Sequence, residues 1–472
     1  MEDSMRKLIF ALVICLSAVT AFAGHVDTYG IGSKGTSMGG AMTAGTDDPF
    51  SIYYNPAAIT RIKKPTFSIG SHFINPAIKI DRYNVDESSP LGVPVADLSG
   101  SDIKDQSPWL IVPHMAYVQP ITEKVSFGVA FYVPYGLELD WSRNPGENPA
   151  AYNTYHSWYI REVITPTIAY KVNDKLSLGL GVSIGRTEAG SERLRYVPAF
   201  MKNPAVWQAA GYDAASAAGA AAAYTELDGA QYITEMTDDF NYSFNIGVLY
   251  EATDKLSLGF TYRSRSNSDL EGTTKVNPTL AIWQNQKIDA STSIETPDQF
   301  QFGVQYIVTP KWKVSADLTR TLWSSIDSYT VDFSEPFMAT PGLSAGAPEE
   351  YYKRNWKDTW QYRFGTEYKI NEMFAVRGGY YYDPSVVPSD TYDVQWPDAD
   401  KHVFSAGLGI NFGKIKVDTV VQYIKIESVD INSGESENLD GSYTRPGIHE
   451  GLTSAEASGH LWGYGVTVSY EF

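Results

Sequence analysis

One unit recurs through this 472-residue chain: a short polar turn, then a long strand with one large apolar face and one small neutral face. Thr122-Glu123-Lys124 leads into Val125–Phe131, and Asn173-Asp174-Lys175 into Leu176–Ser183. Thr253-Asp254-Lys255 leads into Leu256–Tyr262, and Thr309-Pro310-Lys311 into Trp312–Leu318. Successive side chains of a strand point to opposite faces, so each segment presents Leu, Val, Phe or Trp on one side and mostly Ser, Gly, Thr or Asp on the other. A soluble β-sandwich alternates as well. Three features argue against it here. The strands often reach ten or more residues, against a usual length of about 5–6. Their second face is neutral rather than charged. Aromatics gather near strand ends, at Trp158-Tyr159, Tyr351-Tyr352 and Tyr380-Tyr381-Tyr382, where membrane girdles sit.

Fourteen such segments are expected between Thr66 and Phe472, near 66–82, 109–121, 125–140, 155–172, 175–195, 229–252, 255–276, 291–309, 312–333, 353–370, 373–383, 392–412, 415–430 and 458–472. The even count fits a closed sheet, the one sheet that leaves no unpaired edge in lipid. The expected fold is all-β: a 14-stranded antiparallel transmembrane β-barrel over residues 65–472. Short turns would lie at the periplasmic end, and long polar connections such as 431–457 outside. Two insertions belong to those outer loops. The Ala-rich stretch 199–226 reads as helix within a loop near 196–228. The stretch 278–290 reads as a shorter amphipathic helix in a loop near 277–290. In the last segment Tyr464, Val466, Val468, Tyr470 and Phe472 share one face, a hazard on a soluble edge but covered by lipid on a closing strand. The terminal Phe472 resembles the tag read by barrel-assembly machinery.

Composition removes the other classes. The 32 Tyr, 20 Phe and 11 Trp carry too much apolar area for a disordered chain. Beyond the first two dozen residues no run approaches the roughly 20 apolar residues of a spanning helix. A formal charge of -18 argues against nucleic acid as a partner. Arg6 and Lys7, the apolar run Leu8–Ser17 and Ala21-Phe22-Ala23 read as a secretory signal over 1–23, which with the barrel places the chain in a bacterial outer membrane. Cys15, the single cysteine, lies in that signal, and Leu12-Val13-Ile14 before it lacks the small residues of a lipid-attachment site. No disulfide is therefore expected after export. The seven histidines are scattered and no HExxH or G-x-S-x-G occurs. Neither enzyme, metal nor cofactor is expected.

Residues 24–64 are neither strand-like nor charged enough for a linker. Gly30, Gly32, Gly35, Gly39, Gly40 and Gly45 place six glycines in sixteen positions. Gly30–Gly35 even satisfies G-x-G-x-x-G, but no strand precedes it and no βαβ unit follows, so the nucleotide reading fails. Small residues at this density suit a plug whose backbone approaches a barrel wall. Gly39-Gly40-Ala41-Met42-Thr43-Ala44, Asp47-Asp48-Pro49 and Asn55-Pro56-Ala57-Ala58-Ile59-Thr60 resemble the hatch of the FadL family of outer-membrane transporters. The likeness continues through Ser177–Gly181, Pro297, Trp323-Ser324 and Lys357-Asp358. It is densest at Asp383–Pro388 and Pro397–Lys401. The resemblance implies a 14-stranded barrel with an N-terminal hatch over 24–64, taking up long-chain fatty acids or aromatic hydrocarbons.

Val133-Pro134-Tyr135-Gly136 puts a proline and a glycine in mid-strand, the mark of a bulge or kink. Strain alone would explain it; the resemblance implies instead a kinked third strand with a lateral opening, in which Pro134, Tyr135 and Gly136 are the gap and Asn55, Pro56 and Ala57 the hatch segment that meets it. A carboxylate in an apolar lumen needs a basic partner. By the resemblance that partner is Arg193, which on the alternative reading is only a solvated residue at the strand's outer end beside Arg195; a second basic contact of the family falls near Tyr352, one or two positions from Lys353 and Arg354. Phe200, Met201, Val206 and Trp207, with Leu280, Ile282 and Trp283, would form an outer apolar groove or simply pack the loops. Ten buried methylenes at about 0.8 kcal/mol each correspond to a dissociation constant on the order of 1 μM. The acidic chain would repel fatty-acid anions, so a neutral hydrocarbon stays as plausible a cargo. The expected function is passive uptake of a hydrophobic molecule by a monomer in outer-membrane lipid. A hydrophilic porin, which needs a charged constriction and an open lumen, and an outer-membrane enzyme are the alternatives.

Overall fold

The computed structural model describes residues 25–88, 101–277, 286–337, 347–444 and 449–472; the expected signal lies outside them. Among the described residues fourteen strands form one closed antiparallel sheet. They are β1 (Thr66–Ser88), β2 (Leu110–Pro120), β3 (Val125–Asp140), β4 (His156–Lys171), β5 (Leu176–Leu194), β6 (Gln231–Glu251), β7 (Leu256–Arg263 with Ser266–Asn277), β8 (Gln286–Thr296 with Gln299–Thr309), β9 (Trp312–Thr321 with Ser328–Phe337), β10 (Ala347–Lys353 with Thr359–Lys369), β11 (Phe374–Asp383), β12 (Lys401–Asn411), β13 (Ile415–Ile431) and β14 (Glu450–Glu471). Each pairs with its neighbours in sequence, and β14 closes on β1 from Glu471 opposite Thr66 to Glu450 opposite Ser88. Four strands expected to be continuous are interrupted, at 264–265, 297–298, 322–327 and 354–358. Residues 286–290, expected as helix, belong to β8; the rest of that stretch, 278–285, lies outside the described residues. Residues 384–400, whose second half was expected to open β12, fold as a loop instead.

The sheet is inside-out relative to a soluble protein. Along β5, Leu178, Leu180, Val182 and Ile184 are exposed, whereas Ser177, Gly179, Gly181, Ser183 and Gly185 are buried. The same holds around the wall, with Ile168 53%, Phe364 53% and Val466 40% exposed. An apolar belt of this extent is sustained only by lipid. The recurring turn has a chemical cause. Asn173 Oδ1 accepts from the backbone N–H of Lys175 and Leu176 at 2.9 and 3.0 Å. Thr253 Oγ1 does the same for Lys255 and Leu256, and Asn371 Oδ1 for Met373 and Phe374. A short polar side chain at the first turn position satisfies two donors that have no strand partner, which is why Thr or Asn recurs there.

Two packed bodies fill the bore. At the end with short turns, residues 28–64 form a plug of short helical turns, Ser33–Ser37, Ser51–Tyr54 and Pro56–Arg61. It touches the wall all round: Thr60 Oγ1 bonds Ser177 on β5, Thr43 bonds Asp317 on β9, Arg363 on β10 bonds Gly39, and Ser33 N–H donates to Thr467 on β14. At the other end the long connections turn inward and build an aromatic core. Over the Ala-rich insertion, Asn203 and Asp213 cap the helices Pro204–Ala209 and Ala214–Leu227.

Candidate functional site

The wall is not hydrogen-bonded throughout. β2 and β3 pair only from Pro120 opposite Ser126 to Met115 opposite Phe131. Beyond that point Leu110–His114 of β2 pair with β1 alone, and Tyr132–Asp140 of β3 pair with β4 alone on the sheet. A bulge accompanies the parting. Tyr132 opposes Val163 and Tyr135 opposes Arg161, so Val133 and Pro134 together face one residue, and Pro134 has no N–H to offer the ladder. The vacated edge of β3 is taken by the short strand His25–Asp27, with His25 opposite Gly136 and Asp27 opposite Tyr135. Thr28 N–H donates to Pro134 O at 3.2 Å. A small cavity at the parting is lined by Tyr29, His72, Ile74, Val112, Val133 and Gly136.

The stretch that lies on the freed edge of β3 is His25–Gly30. The Asn-Pro-Ala turn instead rests on β5 and β6. Asn55 Nδ2 donates to Thr43 O (2.7 Å) and to Val248 O (3.0 Å), while its Oδ1 accepts from Ala57 N–H (3.1 Å). The turn fits because the wall has no side chains under it: a Cβ on Gly179 would lie 2.3 Å from Ala57 N, and one on Gly247 2.1 Å from Asn55 Oδ1. The residue before the turn's helix partner, Tyr53, reaches toward the parting, its ring 5.3 Å from that of Tyr132. Seven strands away from β3, charges anchor the plug. Lys34 pairs with Asp47 and lies 4.0 Å from Glu367 on β10, and Lys313 on β9 lies 3.7 Å from Asp47. Arg377 ties Glu367 (2.8 Å) to Asp418 (2.6 Å).

The aromatic core borders the parting from the outer side. Ring centroids run from Tyr135 to Trp323 (6.5 Å), to Trp356 (5.5 Å), to Trp396 (5.8 Å) and to Tyr159 (5.8 Å). The three tryptophans line an apolar pocket completed by Leu137, Val386 and Val387. The loop 384–400 supplies half of it and is tied down by its carboxylates. Asp398 Oδ2 accepts from Ser385 Oγ and Val386 N–H, both 2.9 Å, and Asp400 Oδ1 accepts from Ser385 N–H at 2.8 Å. Lys401, 1% exposed, pairs with Asp398. This explains the Asp-Pro-Ser-Val-Val-Pro and Pro-Asp-Ala-Asp-Lys sequences: they staple an apolar wall.

Arg193 faces the same lumen and pairs with Glu350, over the ring of Tyr232 at 5.3 Å. Lys353 points to the loops, 2.7 Å from Glu437. The buried basic residue of that region is Arg354, 1% exposed, which pairs with Asp393, donates to Tyr329 Oη at 2.8 Å and lies 5.9 Å from the ring of Trp396. Strand parity would have favoured neither neighbour, because the first segment of β10 stops at Lys353. Phe200 is 4% exposed and faces His449, while Trp207 stacks on Tyr224 and donates to Met201 O, so both sit in loop packing. Ile282 and Trp283 lie outside the described residues. Two lumenal arginines went unremarked in the sequence, the buried Arg161 and the half-buried Arg263.

A family model described as "Outer membrane protein transport protein (OMPP1/FadL/TodX)" matches residues 12–472. The long-chain fatty acid transport protein of Escherichia coli O6:H1 is 26% identical over 446 residues, covering 90% of this chain and 89% of that protein. The structure of a FadL homologue from Pseudomonas aeruginosa superposes with TM-score 0.71 at 19% identity, covering 95% of this chain and 100% of that one. The toluene transporter TodX of Pseudomonas putida superposes with TM-score 0.64 at 17% identity, covering 94% and 99%. The barrel, its lipid-facing belt and the match across its whole length place this chain in the outer membrane, as a member of the OMPP1/FadL/TodX family of outer-membrane transport proteins.

Proposed function

We propose that the protein carries a hydrophobic molecule passively across the outer membrane, a long-chain fatty acid or an aromatic hydrocarbon, and releases it sideways into the bilayer. The observation that carries this reading is a continuous juxtaposition. The apolar pocket under Trp323, Trp356 and Trp396 has Leu137 in its wall, and three residues along the same strand, at Pro134, β3 has lost β2 as its neighbour and is covered by the N-terminal stretch instead. Residues 24–64 act as the hatch that denies water an axial path, and the His25–Gly30 stretch is its movable edge. Arg193 and Arg354 frame the aromatic pocket and orient its guest. The relatives named for fatty acid and for toluene transport support both cargo classes. The outward row ending in Tyr470 and Phe472 is the surface offered to lipid and to barrel-assembly machinery, and the barrel works as a monomer.

A hydrophilic porin would need an open bore, whereas the spaces beside the hatch are cavities of about 30 and 10 Å³. The test is uptake by proteoliposomes of labelled oleate, toluene and a sugar, with the wild type against Asn55→Ala. Oleate or toluene should pass and the sugar should not. Sugar passage at the rate of the hydrocarbons, with no effect of Asn55→Ala, would overturn the reading.

A further inference from the structure

Directly inside the bulge of β3 lies a second cavity, of a different character from the tryptophan pocket. Its lining includes Tyr132 and Tyr135 from β3, Arg161 from β4, Ser183 from β5, Asn245 from β6 and Arg263 from β7. Arg161 is 2% exposed, and its partners are neutral: Asn241 Oδ1 at 2.8 Å and Ser243 Oγ at 3.1 Å. Arg263 is held by Tyr53 O at 2.7 Å and by the amide oxygens of Gln299 and Gln301 at 2.5 and 3.2 Å, with the Tyr53 ring 4.1 Å beneath it. Among the described residues neither guanidinium has a carboxylate within ion-pair distance. The contrast inside one lumen is sharp. Arg193, Arg354 and Arg377 each pair with an acid, which is the usual condition for burying charge.

A buried guanidinium with only neutral acceptors bears an uncompensated desolvation cost, and an anion that enters beside it regains much of that cost as charge-assisted hydrogen bonds. Here the buried Arg161 and the half-buried Arg263 border one space, lined also by Tyr132, Tyr135 and Ser183 and adjoining the bulge at Pro134. We propose that Arg161 and Arg263 form an oxyanion station at the side exit, where the head group of an amphiphile rests while its apolar tail enters the parting between β2 and β3. This rests on the lateral-release reading above and adds to it a preference: a ligand carrying a carboxylate or phosphate is held at the exit, and a neutral one is not. The oxyanion has two sources, a transported fatty acid arriving from the lumen or a bilayer phospholipid reaching in through the parting.

The experiment compares oleate, oleyl alcohol and phosphatidylglycerol as ligands for the purified full-length protein in neutral detergent at pH 9. Binding is read by calorimetry and by native mass spectrometry. Variants are Arg161→Gln, Arg161→Lys and Arg263→Gln, each checked for the heat-dependent gel shift of a closed barrel. The station predicts that wild type prefers oleate to oleyl alcohol. It predicts that either Gln variant weakens oleate by about tenfold or more without moving the alcohol, and that Arg161→Lys restores part of the loss. Retention of phosphatidylglycerol that is lost in the Gln variants, with oleate unchanged, assigns the station to bilayer lipid and still supports the oxyanion chemistry. Equal loss of oleate and alcohol in a folded Gln variant, or no loss of any ligand, overturns the station. Failure of wild type to bind the alcohol or oleate at all overturns the transport reading instead, so the two failures are distinguishable.

Discussion

Replacing Gly179 with valine tests whether the wall seats the plug through missing side chains. A Cβ at this position lies 2.3 Å from both Ala57 N and Pro56 C, against ordinary contact near 3.5–4.0 Å. The Asn-Pro-Ala turn must therefore retreat by about 1 Å or more. Such a shift breaks the one Asn55 hydrogen bond that crosses to the wall, to Val248 O, at roughly 1 kcal/mol, and overpacking adds about 1–3 kcal/mol. Plug docking is then weakened by about 2–4 kcal/mol. The barrel itself should persist, because the outward Leu178 and Leu180 and the ladder of β5 to β4 and β6 are untouched. Trypsin is the assay: Arg61, Lys63 and Lys64 follow the turn, and cleavage there should rise steeply in folded Gly179→Val while planar-bilayer conductance grows. Gly378→Ala is the control, since the nearest atom to its Cβ is 3.8 Å away. A folded Gly179→Val with wild-type protection at Arg61 would refute the reasoning.

Asp393→Asn leaves the 1%-exposed Arg354 without its carboxylate, at a cost of about 3–5 kcal/mol; a red-shifted tryptophan emission and a lower melting temperature are expected, and an unchanged spectrum would contradict the anchoring role. Burial, reinforced by the neighbouring Asp47 against the pull of Lys34, pushes the Asp48 carboxyl up to about 6. The docked plug thus binds more protons than the released one, so docking tightens as pH falls from 7 to 5; amide protection over residues 47–55, corrected for the intrinsic pH dependence of exchange, should rise over that range, and Asp48→Asn should reduce the rise. Lys313→Met takes one cation from the cluster around Asp47 and Glu367, and is expected to raise trypsin cleavage at Arg61 modestly and less than Gly179→Val does.

The wall was legible in the sequence because lipid imposes a strict period of two. Leu178, Leu180 and Val182 on one side and Ser177, Gly179 and Gly181 on the other leave little choice of register, and the Thr or Asn at each turn marks where the chain reverses. The plug was legible only as a density of glycines; that Gly179 and Gly247, opposite each other on neighbouring strands, are its seat depends on contacts far apart in the chain, Gly179 with Ala57 and Gly247 with Asn55. Pro134 signalled an irregular strand, but which neighbour β3 would lose is a matter of non-local pairing, and nothing in His25–Asp27 announced that it would occupy that edge. The choice between Lys353 and Arg354 stayed open for a related reason: the strand segment ends at Lys353, so alternation no longer decides which way the next side chain points. Arg161 sits in a strand otherwise ordinary for its family of segments, and its lack of an acidic partner exists only in three dimensions.

The central claim is that a hydrophobic cargo leaves through the wall between β2 and β3. It is tested most directly by joining the two strands across the parting. Cysteines at Val112 and Val133, which line the same cavity, are bridged with a membrane-permeant bis-maleimide in the reconstituted protein, and delivery of labelled oleate into the bilayer is timed before and after. The account predicts that bridging abolishes delivery while the singly substituted proteins, treated alike, continue to transport. Undiminished delivery through the bridged barrel would contradict it and send the cargo down the axis.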